Sequence, residues 1–471
     1  MMKSPSSPGR AGLTLLLAGQ LMPSIDTSIT NVALDSITRS LNASVTQLEL
    51  IVALYSVALA IFLAPSSRLG DNAGRRRLFL IGVAIFGGAS LACGLAQTVN
   101  QLLISRVVQG AGAALIIPQI LATVHITLEG AAHVRAISLV GGIGGIAFII
   151  GQMGGGWLVS ADIAGLGWRN AFFINIPVCL IVLLFGRRYI PETRSDTPSR
   201  IDWQGAGLLA LALGCLLFSI SLGPELHWPW VMQLMLLAVL PLLYGMYRNA
   251  LRQQLQERQP LLPPRLLQLP GVSFSILAGL LFFSAWSGFL FCMALMMQSG
   301  LGMVPQQAGD SFIASGVAYF IAALYVPRLT TRYQQRTILL AGLSIQITGL
   351  LILIIMLHIL GSHTGMLALS IATSTICTGQ AFIVNSFYRI GIRNIPAGDA
   401  GAGSAVLSTI LQASMGIGPV LPGGVFLYFL AGNHGNYPQA MTGFLTVEII
   451  MMLTLMVVTL FSRRTVVAVP G

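Results

Sequence analysis

Charge is what this chain has least of. Asp, Glu, Lys and Arg make up 8% of its 471 residues, against roughly a quarter in soluble domains. Lysine occurs once, at Lys3. So little charge and so much apolar surface exclude a soluble globular fold. Cysteine is also scarce: Cys93, Cys179, Cys215, Cys292 and Cys377 stand singly in apolar segments, without metal-type spacing or a disulfide framework. No Gly-x-x-x-x-Gly-Lys-[Ser/Thr] loop occurs, which argues against ATP as an energy source. No cluster of His, Asp or Glu ligands and no nucleophile beside a base is visible. An enzyme is therefore not expected, nor any metal or cofactor.

What the chain has instead is apolar length. Hydrophobic residues are 55% of it, arranged in runs near the ~20 residues that a helix needs to cross a ~30 Å hydrocarbon core. Fourteen spans are expected, over 11–34, 46–67, 78–97, 101–126, 136–160, 170–190, 203–222, 230–247, 271–298, 308–327, 337–358, 364–388, 404–430 and 440–461. The first run continues too far to be a signal h-region and contains Asp26, so it reads as a retained span. The net charge of +11 invites a nucleic-acid reading, but no basic stripe lies on a soluble element. The arginines punctuate alternate gaps instead, with Arg75–Arg77, Arg187, Arg188, Arg328, Arg332, Arg336, Arg463 and Arg464 among them. The opposite gaps hold only Arg39 and Arg169. By the positive-inside rule both termini are cytoplasmic.

The links at about 191–202 and 248–270 are rich in Pro, Gln and Arg, and they bracket spans seven and eight as a separable pair. A sixteen-residue stretch from Ser67 aligns without gaps on one from Pro327. Arg68/Arg328, Leu69/Leu329, Arg76/Arg336, Leu80/Leu340 and Gly82/Gly342 coincide. Two six-span halves with a two-span insert give this offset. The expected organisation is a bundle over 1–190, an inserted segment over 191–270 and a second bundle over 271–471. Parallel repeats of this kind are a transporter architecture with a substrate path between the halves.

Several segments carry chemistry. Asp26 lies in Met22-Pro23-Ser24-Ile25-Asp26-Thr27-Ser28-Ile29-Thr30-Asn31-Val32-Ala33-Leu34. A carboxylate inside a span is costly unless it is paired, protonated or facing water. Arg106, in Ser105-Arg106-Val107-Val108-Gln109-Gly110-Ala111-Gly112, is its natural partner at comparable depth. The loop Leu69-Gly70-Asp71-Asn72-Ala73-Gly74-Arg75-Arg76-Arg77 follows span two, where Asp71 stands in position to cap the incoming third helix. Span five holds eight glycines between positions 141 and 156, which let helix backbones approach closely. Glu448, the other carboxyl deep in a span, is expected to serve local packing or the lipid interface.

These segments resemble the major facilitator superfamily and, within it, the fourteen-span drug:proton antiporter family. The loop is similar to the pattern Gly-x-Leu-x-Asp-x-x-Gly-Arg-Arg through Leu69, Asp71, Gly74, Arg75 and Arg76, with Ser67 replacing the first glycine. Asp26 and its neighbours resemble the first-span motif, with Asp35 in place of its final proline. Gly151-Gln152-Met153-Gly154-Gly155-Gly156-Trp157-Leu158 resembles the end of the antiporter motif, with Gln152 replacing the proline that would kink the helix. Trp168-Arg169-Asn170-Ala171-Phe172-Phe173-Ile174-Asn175 resembles the start of span six, and Asp202-Trp203-Gln204-Gly205 the start of the inserted pair.

The resemblance implies an all-α polytopic membrane protein of the major facilitator fold, two six-helix bundles plus two inserted helices. It implies proton-coupled efflux of amphipathic small molecules by alternating access. Asp26 and Arg106 would couple protons. Leu69, Asp71, Gly74, Arg75 and Arg76 would form the gating loop, and Gly151, Gln152, Gly155 and Gly156 the helix-packing motif. Asn31, Gln109, Trp286 and Gln298 are candidates for a substrate cavity. A proton symporter or facilitator for one metabolite is the alternative made open by Gln152, and a transport-dead interaction protein is the alternative of another class. The expected partners are protons, a small-molecule substrate and the lipid bilayer. No nucleic acid is expected, and the chain should act as a monomer unless accessory export partners join it. The expected location is a bacterial cytoplasmic (inner) membrane.

Overall fold

Hydrocarbon offers no hydrogen bonds to an open backbone, so spanning segments must satisfy their own N–H and C=O groups as helices. The computed structural model describes residues 9–195, 200–256, 258, 260–393, 395–396 and 400–462. Lys3, and Arg463 and Arg464 used above for topology, lie outside the described residues. Ordered along the chain are α1 (Gly9–Leu41), α2 (Val45–Ala73), α3 (Arg75–Leu95), α4 (Val99–Thr127), α5 (Gly130–Ile149) and α6 (Gly155–Ser160). Then come α7 (Asn170–Phe173), α8 (Asn175–Tyr189), α9 (Trp203–Glu225), α10 (Trp230–Leu255), α11 (Pro264–Leu267) and α12 (Pro270–Leu295). The chain continues through α13 (Pro305–Asp310), α14 (Ile313–Arg332), α15 (Gln335–Leu360), α16 (Met366–Ile392), α17 (Ala400–Gly432) and α18 (Tyr437–Phe461).

Twelve helical stretches among the described residues are long and apolar enough to cross a membrane, rather than the fourteen expected. Two expected spans fall outside that count. One is α1, which has 33 residues but carries Gln20, Asp26, Asn31 and Asp35 along its length. The other, read as continuous over 136–160, is interrupted by a π-helical turn over Ile150–Gly154 between α5 and α6. A second π-turn, Met296–Gly300, extends α12.

The helices gather into two compact units. Unit 1 takes Ser36–Gly151, Ala161–Pro263 and the described residues up to Thr30. Its core joins Leu16, Phe79, Phe86, Ile116, Ile120 and Val182. The helices α9 and α10 pack on each other and α9 packs on α2 within this unit. Asp202 fixes them: it accepts from Gly205 N as the cap of α9 (2.7 Å), from Gln253 Nε2 (2.6 Å), from Asn249 Nδ2 (3.2 Å) and from Leu261 N (3.0 Å). Unit 2 takes Asn31–Asp35, Gln152–Ser160 and the described residues from Pro264 on, with α12 against α17, α15 against α16, and α18 against both α15 and α17.

Lipid is as apolar as leucine, so helices associate here through close packing rather than through a hydrophobic driving force. Small residues mark the crossings. A Cβ added at Gly112 of α4 would lie 2.7 Å from Phe86 N of α3, and one at Gly110 would lie 2.3 Å from Tyr55 O of α2. The sequence repeat reappears as packing. Gly82 approaches the Gly112 carbonyl, and its repeat counterpart Gly342 approaches the Gly379 carbonyl.

Crowding of this kind costs ~1–3 kcal/mol when a methyl group is forced in. Gly110→Ala in unit 1 and Gly379→Ala in unit 2 should each lower the thermal unfolding midpoint in detergent. Gly207→Ala, where nothing lies within 4 Å, should leave it unchanged or raise it. Equal midpoints for all three would show that these approaches are not close.

Candidate functional site

Asp26 sits in α1 three residues after Pro23, whose ring blocks the regular helix bond at that point. Side chains reinforce the helix just beyond it: Thr27 Oγ1 and Tyr55 Oη donate to Pro23 O (3.0 and 3.2 Å), and Thr30 Oγ1 donates to Asp26 O (2.8 Å). In α4 the i,i+3 pair Arg106 and Gln109 share one face. Both point at Asp26. The guanidinium pairs directly with Asp26 Oδ2. Gln109 Nε2 donates to Asp26 Oδ1 at 2.7 Å, while Gln109 Oε1 accepts from Arg106 Nη1 at 2.6 Å.

Two residues that sequence reasoning did not place complete the knot. Asn175, at the start of α8, donates to Asp26 Oδ1 (3.2 Å) and to Ser90 Oγ of α3 (3.3 Å). Gln109 Nε2 also reaches Ser90 Oγ at 2.9 Å. Arg106 Nε donates to Ile51 O at 3.0 Å, and its Cζ lies 4.3 Å from the Tyr55 ring centroid, a cation–π contact. Asp26 is 0% and Arg106 1% exposed. Removing one member of a buried pair typically costs ~3–5 kcal/mol, because the other charge is stranded. The signal that could have found Ser90 and Asn175 was their polarity inside apolar runs. Gln109, expected to line a substrate cavity, commits its amide to the knot.

The loop after α2 is built differently from expectation. The helix runs on to Ala73, so Asp71 belongs to the last turn of α2 and pairs with Arg75 at 2.5 Å. It does not cap α3. That role falls to Glu192, beyond α8, whose carboxylate accepts from Arg76 N (3.0 Å) and Arg77 N (3.2 Å). The Arg76 side chain lies 3.5 Å from the same carboxylate and donates to the Arg187 and Ile190 carbonyls. Gly74 makes the corner at φ +106°, and a Cβ there would lie 2.8 Å from Glu192 Oε1. Arg75 N donates to Thr193 O, and Ser195 N to Asp71 O, both at 2.8 Å. Leu69, from the same signature, lies on this last stretch of α2.

The remaining sequence candidates lie elsewhere. Gly151 and Gln152 fall in the first π-turn and Gly155 and Gly156 open α6. A π-turn is itself a recognised cause of helix kinks, so the missing proline at 152 does not leave this helix regular. A Cβ at Gly151 would lie 2.6 Å from Ser28 Cβ; one at Gly156 would lie 2.5 Å from Pro305 O. Asn31 and Gln152 are buried. Trp286 stacks on Phe289 with centroids 5.7 Å apart. Gln298, in the second π-turn, is buried with neither amide atom hydrogen-bonded. Asp35, which stands where the first-span motif has proline, accepts from Ser299 Oγ at 2.9 Å. Among the described residues no three His, Cys, Asp or Glu side chains gather to hold a metal.

The site is thus a buried charged knot, with a glutamate-clamped loop beside α3 and a sequence repeat that recurs in the packing. Comparison with known proteins identifies the family. The Major Facilitator Superfamily profile matches residues 16–419. The "Probable actinorhodin transporter" of Streptomyces coelicolor is 29% identical over 427 residues, covering 90% of this chain and 73% of the relative. The "Multidrug resistance protein Stp" of Mycobacterium tuberculosis is 29% identical over 426 residues, covering 89% and 77%. The crystal structure of a POT family transporter in complex with 5-aminolevulinic acid superposes with a TM-score of 0.70 over 98% of this chain and 99% of that one. At 12% identity that likeness speaks for the fold alone. With the profile spanning most of the chain and the fold in agreement, this chain belongs to the Major Facilitator Superfamily.

Proposed function

We propose that this chain is a proton-driven exporter of amphipathic small molecules that works by alternating access. The observation that carries the reading is the fully buried Asp26–Arg106 pair. A static tie between helices needs no more than that pair. Here the arginine has further partners in Ile51 O, Gln109 Oε1 and the Tyr55 face. When a proton neutralises Asp26, the guanidinium keeps those neutral contacts but loses its counter-charge, which favours a rearrangement around it. Asp26 can therefore load and release a proton while its neighbourhood rearranges. Similarity to the actinorhodin transporter and to the multidrug resistance protein supports small-molecule export.

The finer organisation belongs to the same proposal. We read α1 and the α5–α6 stretch as spans added to the twelve, giving fourteen. Both termini then face the cytoplasm of a bacterial inner membrane, with six-helix bundles over 1–190 and 271–471 and the inserted pair over 191–270. The chain works as a monomer. Asn31, Trp286 and Gln298 contribute to the substrate path, Gln298 having amide groups to offer. The Asp71–Arg75 pair and the Glu192 clamp hold the loop in one of its two states, and the π-turn at Gln152 supplies the bend that the motif's proline would supply.

Reconstitution in liposomes with an imposed proton gradient tests the central claim, using a panel of lipophilic cations, anions and neutral compounds. Uphill flux of at least one class is expected. Asp26→Asn should abolish that uphill flux and spare binding or exchange; unaltered uphill transport would make the knot purely structural. For the loop, Gly74→Ala forces a side chain into backbone reserved for glycine, at ~1–3 kcal/mol. Flux per inserted molecule should fall roughly tenfold on that strain, whereas Gly88→Ala, which meets nothing within 4 Å, should transport normally. Equal flux from both variants would separate the loop from gating.

A further inference from the structure

Unit 2 contains a carboxyl that the export reading does not use. Glu448 lies near the middle of α18 and is 1% exposed, which fits the expected packing role rather than the expected lipid interface. Among the described residues it is hydrogen-bonded by Gln346 of α15, itself 0% exposed, whose Nε2 donates to Glu448 Oε1 at 3.3 Å. Two atoms of this pair are left over. Among the described residues Glu448 Oε2 and Gln346 Oε1 are buried without any partner.

The leftover atoms decide the protonation state. If Glu448 were ionised, both leftover oxygens would be acceptors, and a carboxylate oxygen would stand without a donor at membrane depth. If Glu448 is a neutral acid, Oε2 carries a hydrogen, and Gln346 Oε1 is an acceptor on the side chain already joined to it. The two bonds then close a ring in which the amide N–H donates to the acid carbonyl and the acid O–H donates to the amide carbonyl. Flipping the amide and placing the proton on Glu448 Oε1 closes the same ring, so every assignment that satisfies all four atoms within the pair requires a neutral acid.

Among the described residues, the elements packed on α18 offer Glu448 no counter-charge. Against α18 pack α12, α15, α17, the π-turn after α12 and the short turn Gly361–His363. Their titratable groups are Cys292, Arg336, His358, His363 and Tyr428, and α18 itself adds Tyr437. Arg336, the one arginine on these elements, donates to the Thr459 and Leu460 carbonyls at the far end of α18. None of these groups bonds to Glu448 among the described residues.

We propose that Glu448 is a proton-binding site of unit 2, holding its proton in this conformation as half of a cyclic acid–amide pair with Gln346. It is separate from Asp26, and it stands whether or not the export reading does.

Infrared difference spectroscopy on the purified protein reads this directly. The spectrum of wild type minus Glu448→Gln at neutral pH should show the C=O stretch of a protonated, hydrogen-bonded carboxylic acid, moving down on deuteration. Carboxylate stretches in its place would overturn the proposal. Glutamine at 448 can form the same ring as an amide pair, so this variant should fold. If it fails to insert, Gln346→Leu against wild type carries the test alone. Loss of the amide should shift the acid band upward, and a band unmoved in that variant would overturn the pairing.

Discussion

Hydrocarbon does not solvate charge, and this one constraint organises unit 1. A carboxylate and a guanidinium at the depth of Asp26 and Arg106 are tolerated only with their donors and acceptors already in place. Those groups come from five helices: Asp26 on α1, Ile51 O and Tyr55 on α2, Ser90 on α3, Gln109 on α4 and Asn175 on α8. Each helix must therefore keep its register, since a slip of one residue along a helix turns a side chain about 100° away. The close glycine crossings at Gly110 and Gly112 bring α4 near enough to α2 and α3 for the short side chains of the knot to meet.

The two units bury a carboxyl in physically different ways. Asp26 is met by a cation and two amide donors. Glu448 is met by a single amide that leaves complementary atoms on both partners, an arrangement that suits a neutral acid.

Outside the deep spans, carboxylates do another kind of work. Glu192 and Asp202 both accept from backbone N–H groups at the starts of helices, Glu192 at α3 and Asp202 at α9. Free N–H groups at a helix start carry partial positive charge, and an acidic side chain satisfies them. Glu192 does this across more than a hundred residues of sequence, tying the signature loop to the segment after α8. Asp202 does it locally while also gathering α10 and the following link. The loop known by its arginines is thus held in shape by a glutamate outside the motif.

The sequence by itself determined the class. Scarce charge and recurring apolar length leave no alternative to membrane helices, and spacing alone paired the Ser67 and Pro327 stretches. Asp26 and Arg106 were legible because a charge inside an apolar run stands out against its background. Gln109 was legible only as polar; its role depends on which helix faces α4. Ser90, Asn175, Tyr55 and Glu192 are ordinary residues until folding brings them from separate helices to one point. The continuous fifth span and the Asp71 cap were read from local pattern, and tertiary structure replaced them with a π-turn and with the Glu192 clamp. Hydropathy is a sum along the chain and survives in one dimension. Hydrogen-bond satisfaction in a membrane is a closure condition among distant groups, and only the packed helices decide it.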